Sequence, residues 1–302
     1  MNYSEEALVF PCANENLIGI LARPEQAVAV GVIIIVGGPQ TRVGSHRQFV
    51  LLSRALAAAG YSVLRFDYRG MGDSAGAKRD FEAINPDIHA AIDTLQSACP
   101  GVSRIVLWGL CDAAAAALLY WDETRDPRIA GLCLLNPWVR SQATLARTQV
   151  KHYYGQRLLQ KEFWQKLFSG RLNVAKSVAE LLHKVGQAVR KTDSNPQLIF
   201  QDRMARALRD FSGQVLLLLS SNDYTAKEFL EYAGSAEAWR AVLKRPTLER
   251  IDIENADHTF ASTTWRNAVE RCCLKWLNGQ SEVPGVMASI IPSIHGTGTS
   301  RK

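Results

Sequence analysis

The chain has 302 residues, 47% of them hydrophobic and 21% charged, the balance of an ordinary globular protein. A chain this long buries most of its unfolded surface, so neither disulfides nor a structural metal is needed to hold its core. Net charge is +6, but residues Pro137 to Asp210 carry 14 Lys and Arg against 5 Asp and Glu, a local +9, and the remainder sums to −3. The opening MNYSEEALVFPCANENLIGI has no basic stretch followed by an apolar one, and no signal peptide is expected. The longest apolar runs, Val28 to Val36 and Val215 to Leu219, are too short to cross a bilayer, and a cytoplasmic location is the expectation.

In chain order, Ala7 to Pro11 and Leu17 to Ala22 read as a short antiparallel pair. Val30 to Val36 is a near-continuously apolar strand, ended by Gly37-Gly38-Pro39. A helix follows from His46 to Ala59 with Gly60 as its C-cap, then a strand from Tyr61 to Phe66 and a polar, Gly-rich loop. Asn85 to Cys99 is helical, Arg104 to Trp108 a strand, and Gly109-Leu110-Cys111-Asp112-Ala113 leads at once into an Ala-rich helix. Ile129 to Leu135 is a strand stopped by Asn136-Pro137. The basic segment then interrupts the alternation with helical periodicity. It resumes with a strand at Val215 to Leu219, a helix from Ala226 to Leu243, a strand at Leu248 to Ile253 and a helix from Ser262 to Leu277. Such alternation predicts an α/β fold with a mostly parallel sheet flanked by helices. The expected organisation is a core of residues 1–136 and 212–278, a helical cap at 137–211 and a disordered tail at 279–302.

The six cysteines, Cys12, Cys99, Cys111, Cys133, Cys272 and Cys273, form no CxxC pair and no zinc-spaced cluster with histidine. They read as reduced thiols, and no metal or cofactor is expected. Cys111 stands apart, in a strand–G-x-Cys-x-A–helix junction with the form of a nucleophile elbow. Small residues two before and two after the nucleophile let that tight turn close, and Gly109 and Ala113 supply them. A helix N-terminus also stabilises a thiolate. The plainer alternative is a small buried hydrophobe.

The elbow, the Gly-Gly-Pro turn, FDYRGMGDS and a late Asp and His together resemble the α/β-hydrolase superfamily. More narrowly, GGPQTRVGSHRQF, FDYRGMGDS, WGLCDAAAAA and SSNDYTAKEF resemble the exosortase A system-associated hydrolase 1 family, whose members accompany bacterial exopolysaccharide and protein-sorting loci. Most of the superfamily has Ser at the elbow, while dienelactone hydrolases work with a Cys–His–Asp set. The resemblance implies a base in the loop between the last strand and last helix, where only His258 falls. His46 and His89 belong to predicted helices, His152 and His183 to the insertion, and His295 to the tail. The acid should follow the preceding strand, which selects Asp223 over Asp257 and Asp252. Two backbone N–H donors should form the oxyanion hole. Asp112 supplies one and Gly38 the other, with Gln40 a second candidate, since Pro39 has no N–H. The loop from Asp67 to Ser74 is given a structural role.

These readings converge on a hydrolase that cleaves an ester or thioester through a Cys–His–Asp triad and an acyl-thioester intermediate. An acyltransferase using the same intermediate, or a degenerate hydrolase acting as a binding protein, are the alternatives. The cap aromatics Trp138, Tyr153, Tyr154, Phe163, Trp164 and Phe168 are candidates to line an acyl pocket. The expected partner is a small acyl substrate, its anionic character hinted by the basic cap, and not nucleic acid. That cap also offers contact with an acidic partner or anionic head groups, against the plainer reading of a solvated helical face.

Overall fold

A computed structural model of the chain describes residues 2–140 and 199–281. Most of the expected cap, with His152, His183, Tyr153, Tyr154, Phe163, Trp164 and Phe168, lies outside the described residues, as does the tail beyond Ser281 with His295.

Strands β1 (Tyr3–Cys12) and β2 (Glu15–Pro24) pair antiparallel through a two-residue turn in which Ala13 and Asn14 both have positive φ. Six more strands follow: β3 (Val30–Ile35), β4 (Ser62–Asp67), β5 (Arg104–Leu110), β6 (Ile129–Leu135), β7 (Gln214–Ser220) and β8 (Leu248–Ile253). They form one sheet in the order β1-β2-β4-β3-β5-β6-β7-β8, antiparallel at β1/β2 and β2/β4 and parallel from β4 to β8. The helices are α1 (Gln48–Ala58), α2 (Asn85–Ala98), α3 (Asp112–Thr124), α4 (Phe200–Asp210), α5 (Tyr224–Ser235), α6 (Glu237–Val242) and α7 (Thr263–Ser281).

The period-two alternation of the strands divides the interior into two cores. Ile33, Ile35, Ile105 and Leu107 pack on one face with α2 to α6, whereas Val32, Ile34, Val106 and Trp108 pack on the other with α1 and α7. The chain turns back at β3, which has β4 on one side and β5 on the other. In open parallel sheets a crevice forms outside the carboxyl ends of strands at such a reversal. The turn after β3 and the turn after β5, carrying Gly38 and Cys111, both open onto it.

Several boundaries differ from the sequence expectation. The helix expected from His46 begins at Gln48, because His46 and Arg47 take left-handed φ values of 52° and 62°. The helix expected from Ala226 to Leu243 is two helices, broken where Ala236 is extended (φ −87°, ψ 123°). The break turns Trp239 fully inward onto Phe229, with ring centroids 5.3 Å apart. The last helix runs to Ser281, into the expected tail, and is pinned where Tyr61 Oη donates to Asn278 Oδ1 at 2.9 Å.

Val139 and α4, assigned by sequence to the insertion, pack in the core shared with α3. Arg206 and Arg203 of α4 pair with the buried Asp122 of α3 at 2.8 and 3.4 Å, so part of the segment's basic charge is answered inside the fold. Gln201 Nε2 donates to the Val139 carbonyl at 3.0 Å, and Arg140 pairs with Glu228 at 2.6 Å, fastening the two flanks of residues 141–198.

The loop after β4 has the expected tying role. Fully buried Asp67 accepts from Arg42 and from Asp73 N, while Ser74 Oγ donates to Asp67 O and accepts from Ile18 N. Arg69 grips the buried Asp87 through Nε and Nη2.

Candidate active site

Strand β5 ends at Leu110 and α3 begins at Asp112, so Cys111 makes the turn by itself, at φ 65° and ψ −124°. That backbone region is costly for a residue with a side chain and persists only when the surroundings over-determine it. Here they do: Cys111 N donates to Leu135 O at 2.9 Å, and Cys111 O accepts from Ala114 N at 3.1 Å and Trp138 N at 3.2 Å. A Cβ on Gly109 would stand 2.5 Å from Ala113 C and O, so glycine is required two residues before the cysteine. The thiol is half-buried above the crevice.

Asp223 follows β7 and serves two purposes. Its carboxylate caps α5, accepting from Thr225 N at 3.2 Å and Ala226 N at 3.1 Å, and Oδ2 also accepts from His258 Nδ1 at 2.9 Å. Burial would raise this carboxyl, but the His258 hydrogen bond and charge, with the two cap amides, hold it below its ordinary value. With Nδ1 given to Asp223, Nε2 is the nitrogen left to face the sulfur, and the Cys111 side chain is close enough to act on the His258 imidazole. The bonds to Asp223 and then to Cys111 outweigh partial burial and lift the imidazole to about 10. Thus three residues separated in sequence meet, Asp223 hydrogen-bonded to His258 and Cys111 beside the imidazole.

The expected oxyanion donors are placed differently from one another. Gly38, with φ 58°, directs its N–H at Asp112 Oδ2, 2.9 Å away. The N–H groups of Ala113 and of Asp112 itself also lie against that carboxyl, but Oδ1 is buried without an aligned donor. Burial outweighs these amides and raises the Asp112 carboxyl. Gln40 spends its N–H on Gly37 O at 3.3 Å, closing the turn, and its side chain accepts from Ser45 N and Gln48 Nε2. Gln40 therefore serves the turn.

The loop bearing His258 is held by residues that sequence reasoning read only as a strand stop. Asn136, fully buried, donates through Nδ2 to His258 O at 3.2 Å and to Ser220 Oγ at 2.9 Å, and accepts from Ser220 N at 2.8 Å. Ser220 Oγ in turn donates to Asp257 O at 2.8 Å. Asn136 has φ 43°, a conformation that asparagine tolerates better than most residues; an Asn at a strand end was the one available signal. Asp257 accepts from Thr259 N and Ala261 N, and Asp252 pairs with Arg250, so neither competes with Asp223. His46 and His89 are exposed. Trp138 is half-buried under the Arg140 guanidinium, 4.8 Å from its ring centroid. Among the described residues no group of three His, Cys, Asp or Glu could hold a metal ion, and no helix is long and apolar enough to cross a membrane.

A doubly covered parallel sheet, a strained strand–helix elbow and a late Asp and His meeting above it define an α/β hydrolase. The chain belongs to the serine aminopeptidase S33 family, whose model matches residues 29–216, more than half of its length. A lysophosphatidylserine lipase of Xenopus tropicalis is 35% identical over 78 residues, a match covering 26% of this chain and only 19% of that protein. Among solved structures, the esterase Pf2001 of Pyrococcus furiosus superposes with a TM-score of 0.62 at 17% identity, over 92% of this chain and 93% of that one. A dienelactone hydrolase from Anabaena variabilis gives 0.59 at 14% identity, over 92% and 99%. The ferulic acid complex of Est1E from Butyrivibrio proteoclasticus gives 0.57 at 17% identity, over 90% and 100%. At these identities the likeness is one of fold.

Proposed function

We propose that the enzyme cleaves a carboxylic ester or thioester through Cys111, His258 and Asp223. The observation that carries this reading is the 2.9 Å hydrogen bond between His258 Nδ1 and Asp223 Oδ2, with Cys111 beside the same imidazole at the strained elbow. In the proposed cycle the proton of Cys111 passes to His258, leaving a thiolate beside an imidazolium, with Asp223 fixing the tautomer and orientation of the ring.

The thiolate attacks the carbonyl carbon, and the resulting oxyanion is met by the N–H of Asp112 and, once its present partner moves, that of Gly38. Collapse breaks the bond to the leaving group, which takes its proton from His258. The neutral imidazole then draws a proton from water, hydroxide cleaves the acyl-thioester, and thiolate and imidazolium are restored. The fold relative Pf2001, an esterase, lends support to an ester substrate. The four segments resembling the exosortase A system-associated hydrolase 1 family support a setting beside exopolysaccharide and protein-sorting loci. The basic charge of 137–211 favours an anionic substrate or surface. Cys111→Ala should abolish p-nitrophenyl acetate turnover and remove the acyl adduct from the intact mass spectrum; an undiminished rate sinks the proposal. Product analysis with an added amine or thiol separates hydrolysis from acyl transfer.

A further inference from the structure

We propose that Asp112 is a specificity-determining residue: its carboxylate closes the oxyanion hole until an acyl group bearing a hydrogen-bond donor beside its carbonyl draws it away. The inference rests on the ester-cleavage reading of Cys111.

An acidic residue in the first turn of a helix ordinarily points toward water and complements the helix dipole. Asp112 instead turns inward. Its Oδ2 takes the Gly38 N–H at 2.9 Å, and the Asp112 and Ala113 amides lie against the same group. The amides that would receive a tetrahedral oxyanion therefore already serve a negative charge. Room for it comes from Gly37, where a Cβ would stand 2.3 Å from Asp112 Oδ1 and 2.6 Å from Leu110 O. An oxyanion and a carboxylate cannot share one donor cluster, because like charges at that range exclude each other.

An incoming carbonyl oxygen must displace the carboxylate from Gly38. The displaced carboxyl, raised by burial, needs another donor to stay ionised in a half-buried site. Oδ1 carries the same message, being a buried acceptor with no aligned donor. A hydroxyl or ammonium on the carbon next to the scissile carbonyl answers that need at the place where the oxygen enters, and a plain alkyl acyl group does not. A charge-assisted hydrogen bond of this kind corresponds to roughly 10- to 100-fold in selectivity.

The test compares kcat/KM for phenyl glycolate and phenyl acetate, each divided by its uncatalysed hydroxide rate, on the full-length wild type, Asp112→Asn, Asp112→Ala and Cys111→Ala. The wild type should favour glycolate by roughly 10- to 100-fold. Asp112→Ala should raise acetate turnover and flatten that preference, with Asp112→Asn between, since its amide keeps the shape without the charge. Should the alanine variant not fold, the asparagine variant carries the comparison. An unchanged preference in the folded variants, beside an inactive Cys111→Ala, overturns the role of Asp112 and leaves the triad standing. Full activity of Cys111→Ala on both esters overturns the triad reading and this inference with it.

Discussion

Cys111 and Cys133 lie one strand apart and differ in everything that governs a thiol. Cys133 sits within β6, paired in register with Trp108 of β5, fully buried with its Sγ 3.8 Å from that of Cys273. Burial pushes the Cys133 thiol well above its ordinary value. Cys111 lies three residues past Trp108, the register partner of Cys133, and one past the end of β5, beside an imidazole and at the start of α3. Three residues, roughly 10 Å along the strand direction, separate an inert packing group from a candidate nucleophile. Position at the carboxyl edge of the sheet, where a helix N-terminus and loops from other strands meet, makes the difference.

The largest expected effect breaks the comparison outright. Cys111→Ala should lower kcat/KM on activated esters by about 1,000-fold or more, while Cys133→Ala leaves the rate within about twofold. Steady-state kinetics on both variants would expose equal losses. In the folded wild type, iodoacetamide followed by peptide mass mapping should modify Cys111 well before Cys133.

Asp223→Asn sharpens the contrast, since the amide retains an oxygen to cap α5 while losing the charge that orients His258. Activity should fall by about 1,000- to 10,000-fold with little change in denaturation midpoint. A collapse in stability with activity per folded molecule intact would reverse the assignment of roles.

A third, smaller effect is one of pH. His258 is raised from 6.5 to about 10 in the folded state, so the folded protein binds the proton more tightly than the unfolded chain. The stability this adds is fully present below pH 6.5 and is lost as pH climbs toward about 10. Denaturant titrations across that interval should show the decline in the wild type and a flatter profile in His258→Ala. The smallest effect expected is on Cys133→Ala stability, about 1 kcal/mol for a buried sulfur removed from a packed sheet.

The fold was legible because its signals are local and repeated: near-continuous apolar strands, a Gly-Gly-Pro turn, and a strand running straight into an Ala-rich helix. Cys111 follows from the elbow, and His258 and Asp223 from the chain order that the resemblance implies; the structure joins His258 to Asp223 with Cys111 beside the ring. What sequence did not disclose depends on direction in space. Nothing in GLCDA says that Asp112 folds back onto Gly38, or that Asn136 reaches both β7 and the His258 loop. The break at Ala236 had only the weak signal of Gly234 and Ser235 just before it, inside a run that is otherwise helical on both sides, and Trp239 is fully buried beyond it. The turn role of Gln40 lies in its backbone, which its side chain does not advertise.

The bond from Gln201 to the Val139 carbonyl holds the two ends that flank residues 141–198 side by side, and the Arg140–Glu228 pair ties the first of them to α5. Closing a loop across a fixed gap depends only weakly on how many residues it contains. The framework is thus nearly indifferent to how many residues join the two ends, and shortening that stretch should change the stability of the core little.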